Sequence, residues 1–245
     1  MSRLSTRPID GALEMKKFVP ENLKFIPGIE ISCITEVAKC HILAYNFNPN
    51  NEAFKALLAE IKSIRSEKLL RRLDFFKQEH GVTFTEDEVN WLKNLPSAGK
   101  PHFAKLLVER GCAADIKSAI KEYFSNAPSG RIDAVRAIKA VKSAGGIAIW
   151  AHPYGGVSEK RLNKEQFFKQ LDTLMRAGID GLECFYSEFN KKEIELLHQI
   201  ANEKQLLISG GSDYHGTGKP WLHLGMLNKE DEIVAEEQLT VLQVV

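Results

Sequence analysis

The chain lacks most of what would send it to a membrane, a secretory route or the surface of duplex DNA. No apolar run approaches the ~20 residues that a bilayer-spanning helix needs. The first residues carry no apolar stretch of the kind a signal peptide requires, so the protein is expected in the cytoplasm. Cysteine is sparse. Cys33, Cys40, Cys112 and Cys184 are the only four, and no two stand in C-x-x-C spacing. That excludes a zinc knuckle and a redox pair and leaves reduced, mostly buried thiols. An excess of either charge is missing too. Thirty-three Lys and Arg face 32 Asp and Glu, a net charge of +1. A non-specific grip on duplex nucleic acid needs a basic surface, whereas a small phosphate-bearing substrate needs only local charge. No internal repeat and no low-complexity tract interrupts the sequence.

What is present fits a soluble globular protein of 245 residues, with 44% hydrophobic and 27% charged residues. That length builds one substantial domain, or one domain carrying an insertion. Apolar, strand-like segments occur at residues 25–32, 39–46, 147–152, 181–186 and 206–212. From Asn51 the pattern turns helical. Phe54, Leu57, Leu58, Ile61 and Ile64 form one apolar stripe, continued by Leu69, Leu70, Leu73 and Phe76, with Gly81 as a stop. Further helices are expected at 86–92, 102–110 and 115–124, and residues 125–130 read as a linker. Beyond it helices at 133–143, 164–177 and 190–203 alternate with strands, the last opened by Asn190 with Glu193 three residues on. Alternating helix and strand predicts a parallel sheet.

The chemistry gathers at the ends of those strands. Ser209-Gly210-Gly211-Ser212-Asp213-Tyr214-His215-Gly216 follows the apolar Leu206-Leu207-Ile208. On an extended backbone Asp213 and His215 share a face. His152 stands where Pro153 ends a strand, and Glu30 lies inside an otherwise apolar segment, where a carboxylate needs a cation or several donors. His41 sits on another short apolar strand. Each alone is more often a satisfied core polar residue than a ligand. Five together, all on predicted strands, point to a metal ion. His80, His198 and His223 fall in no such pattern, and Glu183 and Tyr186 near a strand end read as packing groups or as neighbours of the ligands.

Six segments in order, Pro27-Gly28-Ile29-Glu30-Ile31-Ser32, Cys40-His41-Ile42-Leu43, Lys100-Pro101-His102-Phe103-Ala104, Ala151-His152-Pro153, Gly181-Leu182-Glu183-Cys184 and Ser212-Asp213-Tyr214-His215-Gly216, resemble the PHP (polymerase and histidinol phosphatase) metal-dependent phosphoesterases. The likeness is to the branch acting on nucleoside 3′,5′-bisphosphates and RNA 5′ ends. It implies an α/β fold, a distorted (β/α)7 barrel with an inserted all-helical subdomain. Residues 1–48 and 131–245 would then supply the barrel, and residues 49–130 the insertion. It implies a divalent metal cofactor: manganese, zinc, iron or magnesium. Glu30 would bridge two ions, with His41 and His152 on the second, Asp213 on the first and His215 on a third. Lys100 and His102 would contact substrate, a small phosphorylated nucleotide or short RNA. The chain departs from the family in having neither the opening His-x-His strand nor the Thr-Asp-His-Asp motif. It therefore reads as N-terminally truncated, with weak or absent phosphatase activity. The alternatives are a non-catalytic remnant binding one metal or nucleotide, a polymerase-associated domain, and an amidohydrolase built on a similar barrel.

Overall fold

The computed structural model describes residues 9–95, 98–156, 161–214 and 221–245. The chain divides into two compact units, one built on Leu58–Arg131 and the other on Ala12–Leu57 with Ile132–Val245. Among the described residues no helix is long and apolar enough to cross a membrane.

A short helix α1, Asp10–Met15, precedes the first strand, and α2 runs unbroken over Glu52–His80. The stripe predicted for α2 is buried at Phe54, Leu57, Leu58, Ile61, Leu69 and Phe76. The helix stops at His80 because Gly81 takes φ +65, a left-handed conformation that glycine adopts without penalty. In the helical unit there follow α3 (Glu86–Asn94), α4 (Lys100–Glu109) and α5 (Ile116–Tyr123). Helices this short are marginal in isolation. Two have side-chain caps. The Thr85 hydroxyl accepts from Glu88 N–H while Glu88 Oε2 accepts from Thr85 N–H at 2.7 Å, and Asp115 accepts from Ser118 N–H. What joins them is an aromatic core. Phe76 is fully buried, with Phe84, Phe103 and Phe124 at ring centroid distances of 5.4, 5.6 and 5.1 Å. Burying one such ring contributes about 2–3 kcal/mol before packing is counted.

The second unit holds the sheet. Its strands are β1 (Gly28–Ile34), β2 (Lys39–Tyr45), β3 (Ile132–Asp133), β4 (Ile147–Ala151), β5 (Gly181–Tyr186) and β6 (Leu207–Gly211), in the order β3-β1-β2-β4-β5-β6. The sheet is mixed, which corrects the expectation of an all-parallel one. β2 runs antiparallel to both β1 and β4. The reason is local: only four residues, 35–38, join β1 to β2, too few for a crossover, so the pair is a hairpin. Thr35 shapes that turn, its hydroxyl accepting from the N–H groups of Val37 and Ala38. β4, β5 and β6 are parallel, as predicted for strands separated by helices. β3 and β6 stand at the two ends of the order, and among the described residues they do not pair with each other.

Helices α6 (Ala134–Ser143), α7 (Lys164–Ala177) and α8 (Lys191–Glu203) alternate with these strands. They bury Ile138 and Val141, then Phe167, Leu171 and Leu174, then Leu197 and Ile200. Asn163 with Gln166 and Asn190 with Glu193 form reciprocal caps at the starts of α7 and α8. β5 is buried at every position, Glu183 included.

Candidate metal centre

Strand register brings three of the predicted residues together. Glu30 on β1 pairs with Leu43, and Ser32 pairs with His41, so Glu30 and His41 fall on one face of the hairpin. His41 in turn pairs with Ala151, the last residue of β4, and His152 follows directly. Glu30 Oε1 lies 2.9 Å from His41 Nδ1 and 3.3 Å from His152 Nε2, and the two nitrogens are 3.0 Å apart. The imidazoles meet edge to face at 88°.

Three mutual contacts of this kind cannot all be hydrogen bonds. A carboxylate oxygen brings no proton, and each ring nitrogen carries at most one. With a proton on both nitrogens the histidine pair is donor against donor; with fewer, one contact has no proton at all. A cation among them satisfies all three atoms at once. Ligands held ~2.0–2.1 Å from a tetrahedral ion stand roughly 3.3 Å from one another, close to the spacing found. The donor set therefore fits a divalent metal.

The surroundings fix these groups. His152 has φ +30, a strained backbone for a non-glycine residue. Its N–H donates to Glu183 Oε2 at 2.7 Å, which ties the exit of β4 to β5. Burial pushes the Glu183 carboxyl up to about 7, partly offset by His152, with the charges of Glu30 and Asp213 adding to the rise. Desolvation acts upward on Glu30 as well, but there hydrogen bonds from His152 and His41 win and hold its carboxyl well below the usual range. Glu30 is thus an anion, and its side chain is 38% exposed against 7% for His152, so the cluster is reached from the Glu30 side. Tyr45, four residues along β2 from His41, keeps its phenol protonated: burial raises it, and the Glu183 and Glu30 charges raise it further.

Asp213 stands apart from the three-atom cluster, which among the described residues comprises Glu30, His41 and His152. β6 ends at Gly211 and Asp213 has φ +52, so the extended geometry expected to carry it along the strand face is not present. Its Oδ2 accepts from the Tyr186 hydroxyl at 3.0 Å, and the Tyr186 ring lies 5.4 Å from His152. His215 lies outside the described residues. Lys100 and His102 occupy the first turn of α4. His102 Nδ1 accepts from Gly99 N–H at 3.0 Å, and Lys100 Nζ lies 6.0 Å from the centre of the Phe124 ring. Sequence reasoning gave too little weight to Glu183. The signal was there: a carboxylate inside the apolar run Gly-Leu-Glu-Cys-Phe-Tyr, the same pattern that singled out Glu30.

No family model matches the chain. It is 29% identical over 210 residues to a 5′-3′ exoribonuclease of Haemophilus influenzae, covering 83% of this chain and 73% of that protein. It is 26% identical over 205 residues to a 3′,5′-nucleoside bisphosphate phosphatase of Chromobacterium violaceum, covering 80% and 70%. Among solved structures, a metal-dependent phosphoesterase of Bifidobacterium adolescentis matches with a TM-score of 0.72 and 29% identity over 91% of this chain and 78% of that one. A structure from Chromobacterium violaceum described as an amidohydrolase with bound sulfate and no metal matches at 0.64 and 22% over 80% and 69%, a likeness of fold alone. A sheet with its Glu-His-His cluster at adjoining strands, and relatives of this kind, lead to one conclusion: the chain is a distant relative of the PHP-type metal-dependent phosphoesterases.

Proposed function

We propose that Glu30, His41 and His152 hold a divalent cation, and that the chain acts on phosphate esters of nucleotides of the nucleoside 3′,5′-bisphosphate kind or on short RNA 5′ ends. The observation that carries the metal is the triangle of contacts at 2.9, 3.0 and 3.3 Å, which hydrogen bonding alone cannot satisfy. The substrate class rests on the two relatives, one an exoribonuclease and one a bisphosphate phosphatase. A cation held there would lower the pKa of a bound water and offset charge on a phosphoryl oxygen. Two imidazoles in the donor set favour zinc, manganese or iron over magnesium, which prefers oxygen.

The chain's own groups have separate tasks in this reading. Glu183 fixes the His152 backbone. Tyr186 orients Asp213, which with His215 is proposed to complete the coordination on the Asp213 side. Lys100 and His102 are proposed as phosphate contacts, and the six strands as part of a distorted β/α barrel. Among the described residues the three clustered groups make one candidate cation site, so turnover is expected to be slow. The test is metal content by mass spectrometry of the chain stripped with EDTA and reloaded with manganese, together with phosphate release from a nucleoside 3′,5′-bisphosphate. One retained equivalent, abolished by His152→Ala, and EDTA-sensitive release above a no-protein control are expected. Failure to retain metal overturns the reading. Retention without release leaves the second reading, a metal-binding relative without catalysis, for which the three-residue cluster is the specific support.

A further inference from the structure

The helical unit carries a set of cations that the metal centre does not use. Arg65, Lys68 and Arg72 lie at i, i+3 and i+7 on α2, one face of the helix. A second segment closes on that face. Arg72 Nε donates to Pro128 O at 3.1 Å. Two residues on, Gly130 presses against the turn above: a Cβ there would stand 2.3 Å from Ile64 Cγ2 and 3.6 Å from Lys68 Cβ, so only glycine lets the backbone come so near. That approach brings Arg131 to the same face.

The arrangement works against the fold unless something answers it. Arg72 is 4% exposed and is spent on structure: it donates to the carbonyls of Pro128 and Ala98 and faces the rings of Phe103 and Phe124. Arg65 and Lys68, both half-buried, form no ion pair among the described residues. Desolvation and the charges of Arg72, Arg65 and Arg131 pull the Lys68 ammonium down to about 8. Two half-buried cations side by side, Arg65 and Lys68, with no acid paired to either among the described residues, cost stability and recur where a ligand of opposite charge belongs.

We propose that this face of α2, with Arg65 and Lys68 as its available donors and Arg131 beside them, binds a phosphate group. Guanidinium forks and an ammonium are the donors that phosphate oxygens take best. The phosphate can come from a free phosphate or from a phosphodiester chain, and both probes are tested. The proposal stands independently of the metal reading, because the measurement is made on metal-free protein.

The full chain, stripped with EDTA, is titrated calorimetrically with inorganic phosphate and with a 5′-phosphorylated trinucleotide, and repeated as Arg65→Gln/Lys68→Gln. Saturable binding is expected, weakened roughly tenfold or more in the variant, as loss of charge-assisted hydrogen bonds implies. Phosphate should raise the thermal transition of the wild type and leave that of the variant unmoved. Neither side chain pairs with an acid among the described residues, so the variant should unfold no earlier than the wild type without phosphate; Lys68→Met serves as the second variant and should weaken binding in the same direction. Much tighter binding of the trinucleotide assigns the site to a phosphodiester chain, and similar affinities assign it to a single phosphate; both support the proposal. Absence of saturable binding by either probe, or binding that neither variant weakens, overturns it.

Discussion

Both units of this chain cap their helices with polar side chains, but they put their buried polar groups to different uses. In the helical unit polar side chains serve the fold: Thr85, Glu88 and Asp115 cap backbone N–H groups, and the buried Arg72 donates to the carbonyls of Pro128 and Ala98 beside an interior of aromatic rings. In the sheet unit, polar side chains enter the interior itself. Glu183 is buried, His152 sits on a strained backbone, and Glu30 holds two imidazoles against one oxygen. The first pattern raises stability, and the second gives some of it up for a site. The contrast makes Phe76→Ala the largest expected loss of stability. It removes the ring that Phe84, Phe103 and Phe124 surround, at about 3–5 kcal/mol by the usual range for such truncations. Urea unfolding would show it. Because no cluster ligand lies in that unit, manganese retention below the transition should be unchanged; loss of both together would erase the distinction drawn between the units.

His152→Ala should do the reverse. It removes one of the three proposed ligands, and metal affinity is expected to fall by at least about a hundredfold, more than loss of a supporting partner costs. The metal-free stability should change less than in Phe76→Ala, since His152 stands at a strand exit whereas Phe76 lies inside a cluster of rings; alanine keeps a Cβ, so the strain at φ +30 stays. Competition with a fluorescent chelator would read the affinity directly. An unchanged affinity would mean that the triangle of contacts holds no ion.

The same contrast explains what could be read from the sequence. α2, α7 and α8 were legible because a stripe, a cap and a glycine stop are written within one helix length. Glu30, His41 and His152 were legible as candidates because polar residues in apolar strands are conspicuous. Their meeting was not, since it depends on the register Ser32↔His41↔Ala151, which no local pattern states. The mixed sheet was misread by applying an alternation rule across β1 and β2, where four residues allow only a hairpin. Asp213 was placed on an extended strand because the apolar run before it looked continuous; the left-handed turn at Asp213 follows two glycines and a serine, which set no direction of their own.

Glu183 offers a pH test of intermediate size on metal-free protein. Its carboxyl is raised from an ordinary 4.5 to about 7. A group raised on folding contributes stability that is fully present below its unfolded value and lost as pH climbs through the folded one, so the loss falls between about 4.5 and 7. Glu30 is shifted the other way, and its contribution disappears only as the solution becomes more acidic than that window. Glu183→Gln keeps an acceptor for His152 N–H and cannot ionise. The variant should therefore match the wild type near pH 4.5 and be the more stable protein above pH 7, by an amount on the order of 2–3 kcal/mol. Parallel stability curves across the window would place the Glu183 carboxylate in water.

The smallest effect belongs to the helical unit and tests whether its local grammar has energetic content. Thr85 and Glu88 satisfy each other's N–H groups at the start of α3, and Glu88 is also held by Arg110. Replacing Thr85 with Ala removes one acceptor and leaves Glu88 in place, which should lower stability by about 1 kcal/mol. α3 is nine residues long and cannot persist on its own propensity. The loss should therefore appear as faster amide exchange over Glu86–Asn94, while the strands that bear Glu30 and His41 exchange as before.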